Sequence, residues 1–157
     1  MDIQIKAATI NDAEAFAKLF NTVEQYHREQ IPTRYEKPPV NYPVEFFNQA
    51  LANENAKIFF ATLENEVLGY IFILVKEVSN NPMLKSGKFF FVEQLATAPA
   101  ARRKNIGSKL MNFAEKLAKD GGFEEVELNY WKFNNTAEKF YQKLGYETKR
   151  VIVAKKV

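Results

Sequence analysis

The sequence predicts an α/β fold (α+β in some schemes), with a mixed, mostly antiparallel central sheet, helices on both faces and one parallel strand pair. Three observations lead there. Runs rich in β-branched and aromatic residues alternate with segments of 3.6-residue period, in the order β-α-α-β-β-β-α-β-α-β. Two of the middle strands flank Glu64-Asn65, the signature of a tight antiparallel hairpin. The run from Lys88 to Ala96 is apolar almost throughout and is followed by a helix and another strand. That unit should be parallel and right-handed, with its first strand buried on both faces.

Each element has its own signal. Residues 3 to 8 alternate apolar and polar and read as a strand. Asn11-Asp12 offers an N-cap for a helix running to about Arg28, with Ala15, Phe16, Leu19, Phe20 and Val23 on its apolar face. Residues 29 to 43 hold four of the six prolines, so they form an irregular loop of the length that usually serves function. A second helix follows at about 44–53, with Phe46, Phe47, Ala50 and Leu51 on one face. Strands are expected at 58–63 and 66–78, then a polar loop at 79–88. The helix after the central strand covers about 106–120, with Ile106, Leu110, Phe113, Ala114 and Leu117 in period, and Gly121-Gly122 ends it. A strand at 125–131, a helix at 134–144 stopped by Gly145, and a last strand at 151–153 complete the chain.

Length and composition narrow the function classes. The 157 residues make about one domain, 1–157. A net charge of +3, evenly spread, is too small to argue for nucleic acid. The absence of cysteine excludes disulfides, Cys-based metal sites and a cysteine nucleophile, and fits a reducing compartment. A single histidine argues against a His-ligated metal, so no metal is expected. No run reaches the roughly 18 apolar residues of a membrane span, and the N-terminus lacks a signal-peptide pattern. A cytoplasmic protein without membrane association is the expectation.

The stretch from Phe89 to Gly107 organises the rest. A buried strand breaks at Ala98-Pro99, passes Arg102, Arg103 and Lys104, and enters a helix at Asn105-Ile106-Gly107-Ser108. The first backbone N–H groups of a helix lack intrahelical acceptors, and the helix dipole favours an anion there. The local basic cluster therefore reads as a seat for a small phosphate-bearing ligand. Glu93 and Gln94 are polar inside the same strand.

These residues resemble the acyl-CoA-binding motif of the GNAT superfamily of N-acyltransferases, [Arg or Gln]-x-x-Gly-x-[Gly or Ala]. Here it is Arg102-Arg103-Lys104-Asn105-Ile106-Gly107, with Asn105 in place of the first glycine. Asn is the non-glycine residue that best tolerates positive φ. The later stretch with Asn134, Ala137, Tyr141 and Leu144-Gly145-Tyr146 resembles the second family signature, and the element order fits along the whole chain.

The resemblance implies a GNAT-like fold whose parallel strand pair is splayed, and a transfer of acetyl from acetyl-CoA (coenzyme A) to a primary amine by direct attack in a ternary complex. It implies that Arg102 to Ser108 cradle the pyrophosphate, and that Leu95, Ala96 and Thr97 bond the pantetheine arm through their backbone, one N–H polarising the thioester carbonyl. Asn134 would cap its helix and also bond coenzyme A, with Ala137 beside it. Tyr141 would protonate the departing thiolate, with core packing as the other reading. Glu93 is a candidate base acting through water. A carboxylate in an apolar strand should hold its proton more tightly, unless it is merely bound to a nearby Lys or Arg. The acceptor side would include Tyr26, His27, Tyr35 and Asn129, and the acceptor itself is a small-molecule or peptide amine. Homodimerisation is a family property. A non-catalytic acyl-CoA-binding or regulatory module on the same fold is the rival.

Overall fold

The hairpin at Glu64-Asn65 forms with both residues at positive φ, 48° and 70°. That backbone twist matches the twist of the strands it joins. In the computed structural model, which describes residues 2–157, the hairpin links β2 (Ala56–Leu63) to β3 (Glu66–Val78). They lie in a five-stranded sheet with β1 (Gln4–Ala7), β4 (Gly87–Thr97) and β5 (Val126–Leu128), in sequence order across the sheet. The neighbours from β1 to β4 are antiparallel, and β4 and β5 are parallel.

Strand alternation sends side chains to two cores. Phe60, Tyr70 and Phe72 pack with Phe16, Leu19, Phe20 and Phe47 of α1 (Ala13–Gln30) and α2 (Tyr42–Ala52). Ile71, Ile73, Phe90 and Val92 pack on the opposite face against Ile106, Leu110, Met111 and Ala114 of α3 (Ile106–Asp120) and Tyr141 of α4 (Asn135–Lys143). Helices thus cover both faces.

Asp12, of the expected Asn11-Asp12 pair, is the N-cap residue of α1, but its side chain makes no cap bond to the helix. A short 3-10 turn, Ile10–Asp12, precedes it, and the Asp12 carboxylate accepts from the Thr9 backbone N–H at 2.7 Å and its hydroxyl at 2.9 Å. Helix α2 starts two residues earlier than predicted because Pro43 falls in its first turn, where a missing donor costs nothing.

Two strand expectations are corrected. The strand expected at 125–131 pairs only over Val126–Leu128. The reason lies in β4, where Ile73 pairs with Val92 and Phe72 with Gln94, so that Glu93 is an extra residue, a β-bulge. Beyond it β4 has no ladder to β5. The bulge also reverses the alternation, so Phe90 and Val92 face the α3 core while Ala96 faces the α1–α2 core. The strand expected at 151–153 does not form. Val151, Ile152 and Val153 are 75%, 87% and 87% exposed, and just before them Lys149 pairs with Glu125 and Glu127. Strand composition is present there, but no strand among the described residues pairs with it. No helix among the described residues is long and apolar enough to cross a membrane.

Candidate active site

The basic turn is built as its sequence requires. A short turn, Pro99–Ala101, anchors it through buried Ala101. The Arg102 N–H donates to the Pro99 carbonyl and the Lys104 N–H to that of Ala101, each at 3.3 Å. Asn105 sits in the left-handed region at φ 59°, ψ 19°, where the missing glycine would have been. Arg103 is also left-handed, at φ 66°, which its residue type did not signal. Buried Ile106 pins the helix start. The N–H groups of Ile106, Gly107 and Ser108 precede any intrahelical acceptor; the first α-helical bond here runs from the Lys109 N–H to the Asn105 carbonyl at 3.0 Å. Arg102, Arg103 and Lys104 are exposed, and none is in an ion pair among the described residues. Their charge and the helix dipole therefore add at one place.

The predicted segments converge on Gly107. A Cβ there would stand 3.1 Å from Phe140 Cζ and 3.8 Å from Leu95 Cδ2. The glycine thus seats the start of α3 between the end of β4 and α4. On β4, Leu95, Ala96 and Thr97 pair with Ile71, Tyr70 and Gly69 of β3. The opposite edge of these residues has lost β5, so backbone groups pointing that way are open to a ligand. Sequence reading missed Gly69. A Cβ at Gly69 would lie 2.5 Å from the Ala96 carbonyl oxygen, so only glycine lets β3 support this stretch.

Tyr141 is 9% exposed and stacks on Tyr130 at 5.8 Å, with Phe140 and Tyr146 edge-on at 5.0 and 5.8 Å. Burial pushes its phenol up to about 12, so it keeps its proton at neutral pH. Neighbouring Tyr146 donates to Glu115 Oε1 at 2.9 Å, whereas no protein partner engages the Tyr141 hydroxyl among the described residues. Asn134 caps α4 as expected, its Oδ1 accepting from the Ala137 N–H at 3.0 Å.

Both polar residues of the central strand find partners. Gln94 Oε1 accepts from the fully buried Tyr70 hydroxyl at 2.8 Å. Glu93 pairs with Lys76 Nζ at 2.8 Å, its side chain 31% exposed. Of the two settings that the sequence left open for Glu93, this is the one bound to a nearby cation: the bulge turns it toward Lys76, whose ammonium also lies 3.6 Å over the Phe91 ring.

Tyr26, His27 and Tyr35 come together in one aromatic wall. His27 stacks on Tyr35 at 5.3 Å and meets Glu24 at 3.4 Å. The Trp131 indole N–H donates to the Tyr35 hydroxyl at 2.9 Å, and Tyr26 lies edge-on to Phe133 at 5.7 Å. Arg34 covers the Trp131 ring at 5.2 Å. Trp131 and Phe133 were missed, although the run Tyr130-Trp131-Lys132-Phe133 was a visible signal. Asn129 is exposed after β5 and is outside this wall. No group of metal-ligating side chains occurs among the described residues.

A strand opened by a bulge, a basic turn at a helix N-terminus and a helix bearing a buried, protonated tyrosine thus lie around Gly107. Comparison with known proteins gives the class. The acetyltransferase (GNAT) family model matches residues 18–146. An N-alpha-acetyltransferase of Sulfurisphaera tokodaii is 32% identical over 120 residues, 73% of this chain and 70% of that protein. The N-acetyltransferase YhfO of Bacillus subtilis is 25% identical over 92% of this chain and 90% of its own length. Among solved structures, a tetramutant of the BH1408 protein from Bacillus halodurans has TM-score 0.91 and 21% identity, covering 98% of this chain and 99% of that one. The aminoglycoside N-acetyltransferase AAC(6')-Iy, in complex with CoA, has TM-score 0.78 and 18% identity, covering 99% and 95%. The chain belongs to the GNAT family of acetyltransferases and is an acyl-CoA-dependent N-acyltransferase.

Proposed function

We propose that this protein transfers an acetyl group from acetyl-CoA to a primary amine by direct attack within a ternary complex. The observation that carries this reading is the meeting, around Gly107, of the α3 N-terminus, the opened end of β4 and the helix bearing Tyr141. Acetyl-CoA supplies the activated thioester. Arg102 to Ser108 hold its pyrophosphate by backbone N–H groups, cationic side chains and the helix dipole. Leu95, Ala96 and Thr97 orient the pantetheine arm along the free edge, and Asn134 and Ala137 flank it.

Tyr141 donates its hydroxyl proton to the leaving thiolate, a role that its raised ionisation and disengaged hydroxyl support. Glu93 removes a proton from the acceptor ammonium through water, while Lys76 holds its carboxylate in place. Tyr26, His27, Tyr35, Trp131 and Phe133 flank the acceptor, which the names of relatives suggest is an α-amine or a small-molecule amine. The test is acetyl-CoA-dependent thermal stabilisation followed by a panel of amines. Stabilisation with turnover on an amine fits the proposal; stabilisation without turnover on any amine fits the non-catalytic module instead.

A further inference from the structure

A cleft of about 640 Å³ lies between α1 and the proline-containing segment 37–40, and it shares no lining residue with the aromatic wall of Tyr26, His27 and Tyr35. Two cations line it, Arg28 from the helix and Lys37 from the loop, against one carboxylate, Glu29. Glu29 Oε1 already accepts from Gln25 Nε2 at 2.8 Å. Neither cation is in an ion pair among the described residues. The cleft therefore carries positive charge that nothing in the fold has engaged.

Arg28 is more than a solvated surface charge. Its Nη1 is shielded from solvent and has no hydrogen-bond partner among the described residues. Its place in the last turn of α1 suits a cation, because the helix dipole is negative there. The dipole brings no acceptor to that nitrogen, and a buried charged donor without one is destabilising. After Lys37 the cleft wall turns apolar: Pro38 and Pro39 have no N–H to offer, and Val40 is 90% exposed. Two cations beside an apolar strip suit an oxyanion on an apolar body, and they repel an ammonium.

We propose that this cleft is a second ligand site, taking a small molecule that bears a carboxylate or a phosphate monoester on an apolar body. The oxyanion accepts charge-assisted hydrogen bonds from Arg28 and Lys37, and the body lies along Pro38, Pro39 and Val40. Arg28 belongs to α1 and Lys37 to the loop, so one bound anion ties the loop to the helix. The next anchor of the loop is the Tyr42 N–H, which donates to the Pro39 carbonyl at 3.0 Å. A tied loop holds that bond more firmly.

The test is titration calorimetry on the full chain at fixed ionic strength, with coenzyme A in excess so that anions do not report on the basic turn at 102–104. Benzoate and phenyl phosphate probe the two oxyanions, and benzyl alcohol is the uncharged control. Saturable binding of at least one anion, and none of the alcohol, is the expected result, and the tighter anion identifies the group. Arg28→Gln and Lys37→Gln should each weaken that binding about tenfold or more. Lys37 is exposed, so its variant keeps the fold and the test stands on it alone if Arg28→Gln does not fold. Amide exchange at Tyr42 should slow when the anion is added. No binding of either anion, equal binding of benzyl alcohol, undiminished affinity in a folded variant, or unchanged exchange at Tyr42 would each overturn the proposal.

Discussion

Tyr141 and Asn105 carry the two residue-scale claims. Tyr141 owes its raised ionisation to burial, so its proton stays in place across the neutral range and is lost only near pH 12. Tyr141→Phe removes that proton while keeping the ring packed on Tyr130. The expected outcome is a kcat lower by about 10²–10⁴-fold with a nearly unchanged KM for acetyl-CoA, read by steady-state kinetics. Asn105 holds φ 59° at the start of α3. Asn105→Gly should be neutral, whereas Asn105→Val places a β-branched residue in the left-handed region, costing about 1–3 kcal/mol and raising KM for acetyl-CoA. Thermal melts and KM values for the two variants check this. Asn105 was legible because its type admits that φ. Arg103 was not, since an arginine at φ 66° is imposed by the turn around it. Lys76 was equally hidden, because its contact with Glu93 depends on a bulge no residue type announces.

At the scale of elements, the bulge at Glu93 and the glycine at 69 act together. The bulge ends the parallel ladder at Val92–Leu128 and frees one edge of residues 93–97, while Gly69 supports the other edge from β3. Gly69→Ala drives a methyl to 2.5 Å from the Ala96 carbonyl oxygen. It should destabilise the protein by about 1–3 kcal/mol and lower kcat/KM, because the displaced backbone is the part proposed to orient the acyl donor. Chemical denaturation and kinetics on one preparation measure both. Helix α3 and strand β3 were read at their observed bounds, since hydrophobic period and turn residues agree there. The lengths of β5 and of the 151–153 strand were misread because pairing, unlike propensity, is decided by a distant partner.

Across the whole molecule, two cores on the two faces of the sheet bury phenols whose ionisation is costly. Burial raises Tyr70, Tyr141 and Tyr146, with Glu24 adding to the first and Glu115 to the last. The folded state therefore holds these protons more tightly than the unfolded chain, whose tyrosines titrate near 10. Their contribution is complete below about pH 10 and is lost as pH rises through the folded values, about 12 for Tyr141. On this account the melting temperature is insensitive to these groups between about pH 7 and 9 and falls above about 10, in step with phenolate absorbance.

The central claim is acetyl transfer to an amine at the site around Gly107, and the chain's lack of cysteine makes its readout clean. Any thiol that appears during turnover comes from coenzyme A. The direct measurement is thiol release from acetyl-CoA across an amine panel, with wild type and Tyr141→Phe side by side. Amine-dependent release by wild type, reduced at least a hundredfold or so in the variant, is the predicted result. Acetyl-CoA binding without release on any amine, or equal rates for the two proteins, would contradict it.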